Sequence, residues 1–133
     1  MPTMPERHKD WMRQARNDLE FAMLAARENH FEWAAFAALQ AAEKACKALH
    51  LFLGKSAAAH ELTLLLENLP GEHQPPPDLL KRAKALEKHY MSARYPTMFP
   101  TGTPHDHYTR EHGEQAIADA MAIIEFCQHG LGQ

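Results

Sequence analysis

The sequence predicts an all-α protein, an up-and-down bundle of about five helices. Three observations carry that expectation. The chain holds 22 Ala, 15 Leu and 12 Glu against three Ile and no Val. Ala, Leu and Glu lose little freedom in a helix, whereas β-branched residues are what a sheet requires. Apolar residues recur at three- and four-residue steps along five stretches separated by Gly and Pro. Over 133 residues, 45% apolar and 23% charged composition allows a packed core, and the expectation is one domain over residues 1–133.

The first helix is expected behind Thr3-Met4-Pro5-Glu6, a capping-box pattern. Its face is marked by Trp11, Ala15, Leu19, Ala22 and Ala26, ending near residue 29. A second helix over 31–53 stops at Gly54, a residue suited to the C′ position. Its Ala34, Ala38, Ala41, Ala45 and Ala48 form a small-residue stripe that admits a neighbouring backbone, with Leu49 and Phe52 filling the lower end. A third helix over 58–69 carries Leu62, Leu65, Leu66 and Leu69 and ends at Pro70-Gly71. After a Pro-stiffened loop, a fourth over 78–93 should bury Leu79, Ala83, Leu86 and Tyr90. Residues 95–104 contain three Pro and one Gly and cannot be helix. The last helix should start at Thr103-Pro104-His105-Asp106, bury Ala116, Ala120, Ile123 and Cys127, and close at Gly130.

Charge narrows the function classes. A net charge of −3 and a pI near 6.3 exclude the broadly basic surface that duplex DNA requires. No apolar run approaches the roughly 18 residues of a membrane span, and the opening residues do not read as a signal peptide. Cys46 and Cys127 lie inside helical patterns without CxxC spacing, so neither a disulfide framework nor a thiolate zinc site is indicated. A soluble cytoplasmic protein without a cofactor or membrane association is expected.

Two regions carry candidate chemistry. On the second helix Gln40, Glu43, Lys44 and Lys47 form a polar strip beside the Ala stripe. It is either a solvated face with Glu–Lys contacts or two ammonium groups aimed at an anion. On the fourth, Lys81, Arg82, Lys84, Lys88 and Arg94 stand against the single acid Glu87, an asymmetry in an acidic chain. That helix runs out in Tyr90-Met91-Ser92-Ala93-Arg94-Tyr95-Pro96. Arg94 offers a planar fork for phosphate and Tyr90 or Tyr95 a ring for a base; equally, Arg94 can satisfy helix-end carbonyls. His60 stands at the entry to the third helix as a ligand contact or a satisfied helix-entry residue. His105, Tyr108 and His112 would share a face of the last helix, and His105-x-His107 with His112 has imidazoles for zinc or nickel. Nothing completes such a set, and no metal is assigned.

In order along the chain stand Trp11…Ala15-x-x-Asp18-Leu19-x-x-Ala22, Phe36-x-x-x-Gln40-Ala41-Ala42-Glu43-Lys44-x-x-Lys47-Ala48-Leu49, His60-Glu61-Leu62-x-x-Leu65-Leu66, Tyr90-x-x-x-Arg94-Tyr95-Pro96 and Tyr108. This order resembles the HEPN domain, the higher-eukaryote and prokaryote nucleotide-binding domain, in its short stand-alone prokaryotic form. The resemblance spans about residues 7–130. It implies a helical bundle, usually a homodimer, often paired with a minimal nucleotidyltransferase in a toxin–antitoxin or substrate-binding arrangement. Another branch of the family is a metal-independent ribonuclease with Arg, four to six residues, then His. Here ten residues separate Arg94 from His105. The tyrosine that partner transferases modify in some toxins follows that His by two positions, whereas Tyr108 follows His105 by three.

The leading expectation is a binding protein for a nucleotide or RNA phosphate, in a groove of Lys44, Lys47, His60, Tyr90, Arg94 and Tyr95, with chemistry left to a nucleotidyltransferase. The alternatives are a ribonuclease in which Arg94 stabilises the phosphorane and His105 is the general base, and a dimeric interaction protein without a ligand. The Ala stripe and the aromatic inventory point to a two-fold homodimer, and residues 95–104 to a mobile lid beside the groove.

Overall fold

The computed structural model describes residues 6–56 and 59–133. Those residues form helices joined by turns, with no strand among them. The main elements are α1 (His8–Arg27), α2 (Phe31–Phe52), α3 (Leu62–Glu67), α4 (Pro77–Glu87), α5 (His89–Ser92), α6 (Pro104–His107) and α7 (Arg110–Gly130).

Four of these alternate in direction, as the up-and-down expectation requires. A tight turn with Asn29 at φ 65° reverses the chain between α1 and α2. α4 runs back along α2 until Tyr90 on α5 meets Phe36, near the start of α2. α7 then runs parallel to α2: Gly113 lies against Phe31 at one end and Gly130 against Leu49 at the other. Between them the thiols of Cys46 and Cys127 meet at 3.8 Å. Burial and that contact push the Cys46 thiol well above its ordinary range, the contact being the larger cause, so both cysteines behave as small core residues.

The core lies around α2, and its Ala stripe accounts for the close packing. Ala34, Ala38, Ala41, Ala45 and Ala48 are all buried within this one chain, against α1 and α7. The stripe is therefore consumed internally and does not supply a dimer surface. α2 ends as expected, with Gly54 at φ 74° and its N–H donating to the Leu51 carbonyl.

Several expected boundaries move. The Thr3–Glu6 cap falls largely outside the described residues, and α1 begins at His8 without a side-chain cap. The third helix is only six residues long, although Leu62, Leu65, Leu66 and Leu69 are buried as expected. Its entry is secured by Glu87 of α4, whose carboxylate accepts the Thr63 N–H. The fourth helix divides at Lys88 into α4 and α5, and Tyr90 is 52% exposed rather than buried. Phe52 is likewise exposed, edge-on to His8. The capping box at Thr103 and Asp106 forms, but it starts a single turn. Tyr108 then turns extended (ψ 128°), and a second capping box, Thr109 with His112, starts α7. His105, Tyr108 and His112 consequently do not share one helical face.

The connection expected to be a lid is braced along its length. His107 stacks on Phe99 at 4.4 Å and reaches the Thr101 carbonyl at 2.6 Å. Thr103 and Asp106 tie the next turn, and Pro104 is buried.

Candidate functional site

The polar strip of α2 is internally neutralised. Lys44 donates to Asp18 of α1 at 2.5 Å. Lys47 is 7% exposed, with Glu43 one turn back at 3.4 Å, His60 Nδ1 at 3.2 Å and the Trp11 ring at 5.5 Å. Lys47 is buried and Lys44 half-buried, and each ammonium is already paired with a carboxylate. A cleft of about 670 Å³ opens beside them between α2, the entry to α3 and the α4–α5 junction. Leu39 and Leu62 form its apolar part. Gln40, His60 and Tyr90 line it together with three carboxylates, Glu43, Glu61 and Glu87.

Arg94 stands under the opposite condition. It closes α5, and its Nε donates to the Tyr90 carbonyl at 2.7 Å, so the helix-end role is real. Its guanidinium lies 4.5 Å from the Tyr90 ring, 4.6 Å from Phe36 and 4.9 Å from Tyr95. Such contacts with ring faces hold a cation without neutralising it. Among the described residues no carboxylate pairs with it. Tyr90 is shared: its ring lies against Arg94, and the residue also lines the cleft with His60. The structure thus joins His60, Tyr90, Arg94 and Tyr95 along one edge, with Lys47 behind His60. Lys44 faces away, towards α1.

His105 is carried back to α2 by the long connection. Its Nδ1 lies 3.0 Å from both carboxylate oxygens of Glu32. Glu32 and Phe36 are one turn apart on α2, a rise of about 6 Å. His105 and Arg94 therefore contact adjacent turns of the same helix despite the ten residues between them.

Behind α5, His89 meets the Tyr108 hydroxyl at 2.6 Å. Burial, followed by the nearby His112 and Lys88, lowers His89 to about 4. Burial, followed by the Glu32 charge, raises Tyr108 to about 12. The phenol therefore stays protonated and donates to a neutral imidazole, which braces α5 against the start of α7. The sequence reading missed His30, Glu32 and His89. A carboxylate in the first turn of α2 and a histidine at its threshold were visible signals, but their partner lies 73 residues away.

The HEPN domain family model matches residues 8–130. The chain belongs to the HEPN domain family. Its fold is close to that of TT1696 from Thermus thermophilus, with 41% identity and a TM-score of 0.90 over 93% of this chain and 98% of that one. An archaeal HEPN homologue gives 36% identity and 0.79 over 92% and 96% of the two chains. A HEPN domain protein from Thermotoga maritima gives 31% and 0.77 over 93% and 98%. A relative from Methanocaldococcus jannaschii, named "Putative toxin MJ1304", is 26% identical, the match covering 88% of this chain and 83% of that protein. No helix among the described residues is long and apolar enough to cross a membrane.

Proposed function

We propose that this HEPN protein is a toxin–antitoxin-type component that holds a nucleotide or RNA phosphate at Arg94, with Tyr90 and Tyr95 as stacking surfaces. The observation that carries the reading is the guanidinium itself, held against three rings and, among the described residues, paired with no carboxylate. Lys84 and Lys88 are exposed on the helices leading to it and add positive field. The likeness to a relative named as a toxin supports the class. On this reading the cleft walled by Glu43, Glu61 and Glu87 takes no phosphate; it accommodates donor groups of a base or sugar beside the Tyr90 ring. A minimal nucleotidyltransferase supplies the chemistry, and the protein acts in the cytoplasm as a homodimer. With the Ala stripe used internally, the dimer draws on exposed apolar residues such as Phe21, Leu24 and Met121.

Fluorescence anisotropy with a labelled short RNA and with nucleotides tests the site. Arg94→Ala should weaken binding about ten- to hundredfold, since a charge-assisted phosphate contact contributes roughly 1.5–3 kcal/mol. Unchanged binding would reject the site. Light scattering that finds a 15.1 kDa monomer at micromolar concentration would reject the dimer.

A second reading is favoured by one observation: His105 and Arg94 contact adjacent turns of α2. In a ribonuclease, Arg94 would stabilise the pentacoordinate phosphate and His105, oriented by Glu32, would take the 2′-hydroxyl proton. RNA cleavage by the wild type that is abolished in His105→Ala, with RNA binding retained, would select this reading over the first.

A further inference from the structure

We propose that His30, Glu32 and His105 form a binding site for a borderline divalent cation of the zinc class. Each offers one ligand atom, and the three atoms lie within 4.8 Å of one another. His105 Nδ1 is 3.0 Å from both Glu32 oxygens, and His30 Nδ1 is 3.9 Å from Glu32 Oε1. Zinc bonds to nitrogen and oxygen of about 2.0–2.2 Å place neighbouring ligand atoms a little over 3 Å apart. Closing the set therefore takes a movement of the exposed His30 side chain of roughly 1–1.5 Å. Two imidazole nitrogens and one carboxylate oxygen suit zinc, nickel or cobalt and disfavour magnesium and calcium, which take oxygen ligands.

The state of Glu32 gives independent support. Its residue is 5% exposed, yet among the described residues it has no lysine or arginine partner; the two imidazoles face it instead. A carboxylate withdrawn from water needs a compensating positive group, and a divalent cation between the three side chains supplies one. The backbone around each ligand is also fixed. His30 follows the left-handed Asn29 and donates its N–H to the Ala25 carbonyl at 2.8 Å. His105 sits inside the Thr103–Asp106 capping box, behind the buried Pro104.

With both imidazoles partly open to solvent, the remaining coordination positions are left for water. His105 then carries its proton on Nε2. The bound cation joins the α1–α2 turn, the first turn of α2 and α6, pinning the connection that begins at Tyr95. His107 and His112 take no part, being committed to the Thr101 carbonyl and the Thr109 N–H. The site does not depend on the nucleotide reading.

The test is calorimetric titration of zinc chloride into tag-free, chelator-treated full-length protein, with magnesium chloride as the control. One zinc per chain is expected. His105→Gln and Glu32→Gln should each weaken it at least tenfold, and His107→Gln and His112→Gln should leave it unchanged. Amide hydrogen exchange over residues 95–109 should slow on adding zinc to the wild type and not to His105→Gln, whose exposed position preserves the fold. Zinc affinity equal in wild type and His105→Gln would overturn the proposal as binding by surface histidines. Equal binding of magnesium, or no zinc binding at all, would also overturn it.

Discussion

The lysine strip of α2 and the arginine shelf at the end of α5 carry similar charges and opposite fates. Lys44 and Lys47 sit against Asp18 and Glu43, and their positive charge is spent within the fold. Arg94 sits against three ring faces, which support a guanidinium while leaving its charge available. A count of basic residues along the chain treats the two regions alike. Only the partner of each cation separates a structural group from one poised for an anion.

Lys47→Ala strips Glu43 of its buried partner and should cost about 2–3 kcal/mol. For a chain of this size, that lowers the melting midpoint by roughly 5–10 °C. Nucleotide affinity should be unaffected, and a loss of affinity in a folded variant would return the strip to the site.

The next effect concerns the other face of α5, where His89 is packed with Tyr108, His112 and Lys88. Its imidazole titrates near 6.5 in the unfolded chain and near 4 in the fold. The unfolded state therefore takes the proton first. The contribution of His89 is complete above pH 6.5, declines as pH falls towards 4 and then levels off. Across that window it amounts to about 3 kcal/mol. Chemical denaturation at several pH values should show this slope in wild type and a shallower one in His89→Gln; equal slopes would contradict it. Smallest is the Lys44–Asp18 pair, whose double-mutant cycle should return a coupling near 1 kcal/mol, since it is only partly buried. A coupling of zero would mean that the pair is solvated and Lys44 is freer than its geometry indicates.

The parts of this molecule that could be read from sequence are those fixed by near neighbours. The Ala stripe, the Gly54 stop and the Thr103–Asp106 box all follow from residues a few positions apart. The interruption at Tyr108 was visible only as a second cap, Thr109 with His112. A histidine in place of the usual Glu or Gln concealed it. The entry to α3 was not legible locally, because its cap is supplied by Glu87 from another helix.

The candidate site divides in the same way. Tyr90, Arg94 and Tyr95 are close in sequence and meet as one shelf. Lys44 and Asp18 are 26 residues apart, and Glu32 and His105 are 73 apart. Their pairing is set by how α1 and the 95–109 connection pack on α2, which no local pattern encodes.

The most direct measurement titrates a labelled short RNA, at one fixed salt concentration, into wild type, Arg94→Ala, Arg94→Lys and Lys44→Ala. A ten- to hundredfold loss is expected for Arg94→Ala. Partial recovery is expected in Arg94→Lys, whose ammonium keeps the charge without the fork, and wild-type affinity in folded Lys44→Ala. Equal affinity of Arg94→Ala and wild type, or a larger loss in Lys44→Ala, would contradict a phosphate site at Arg94.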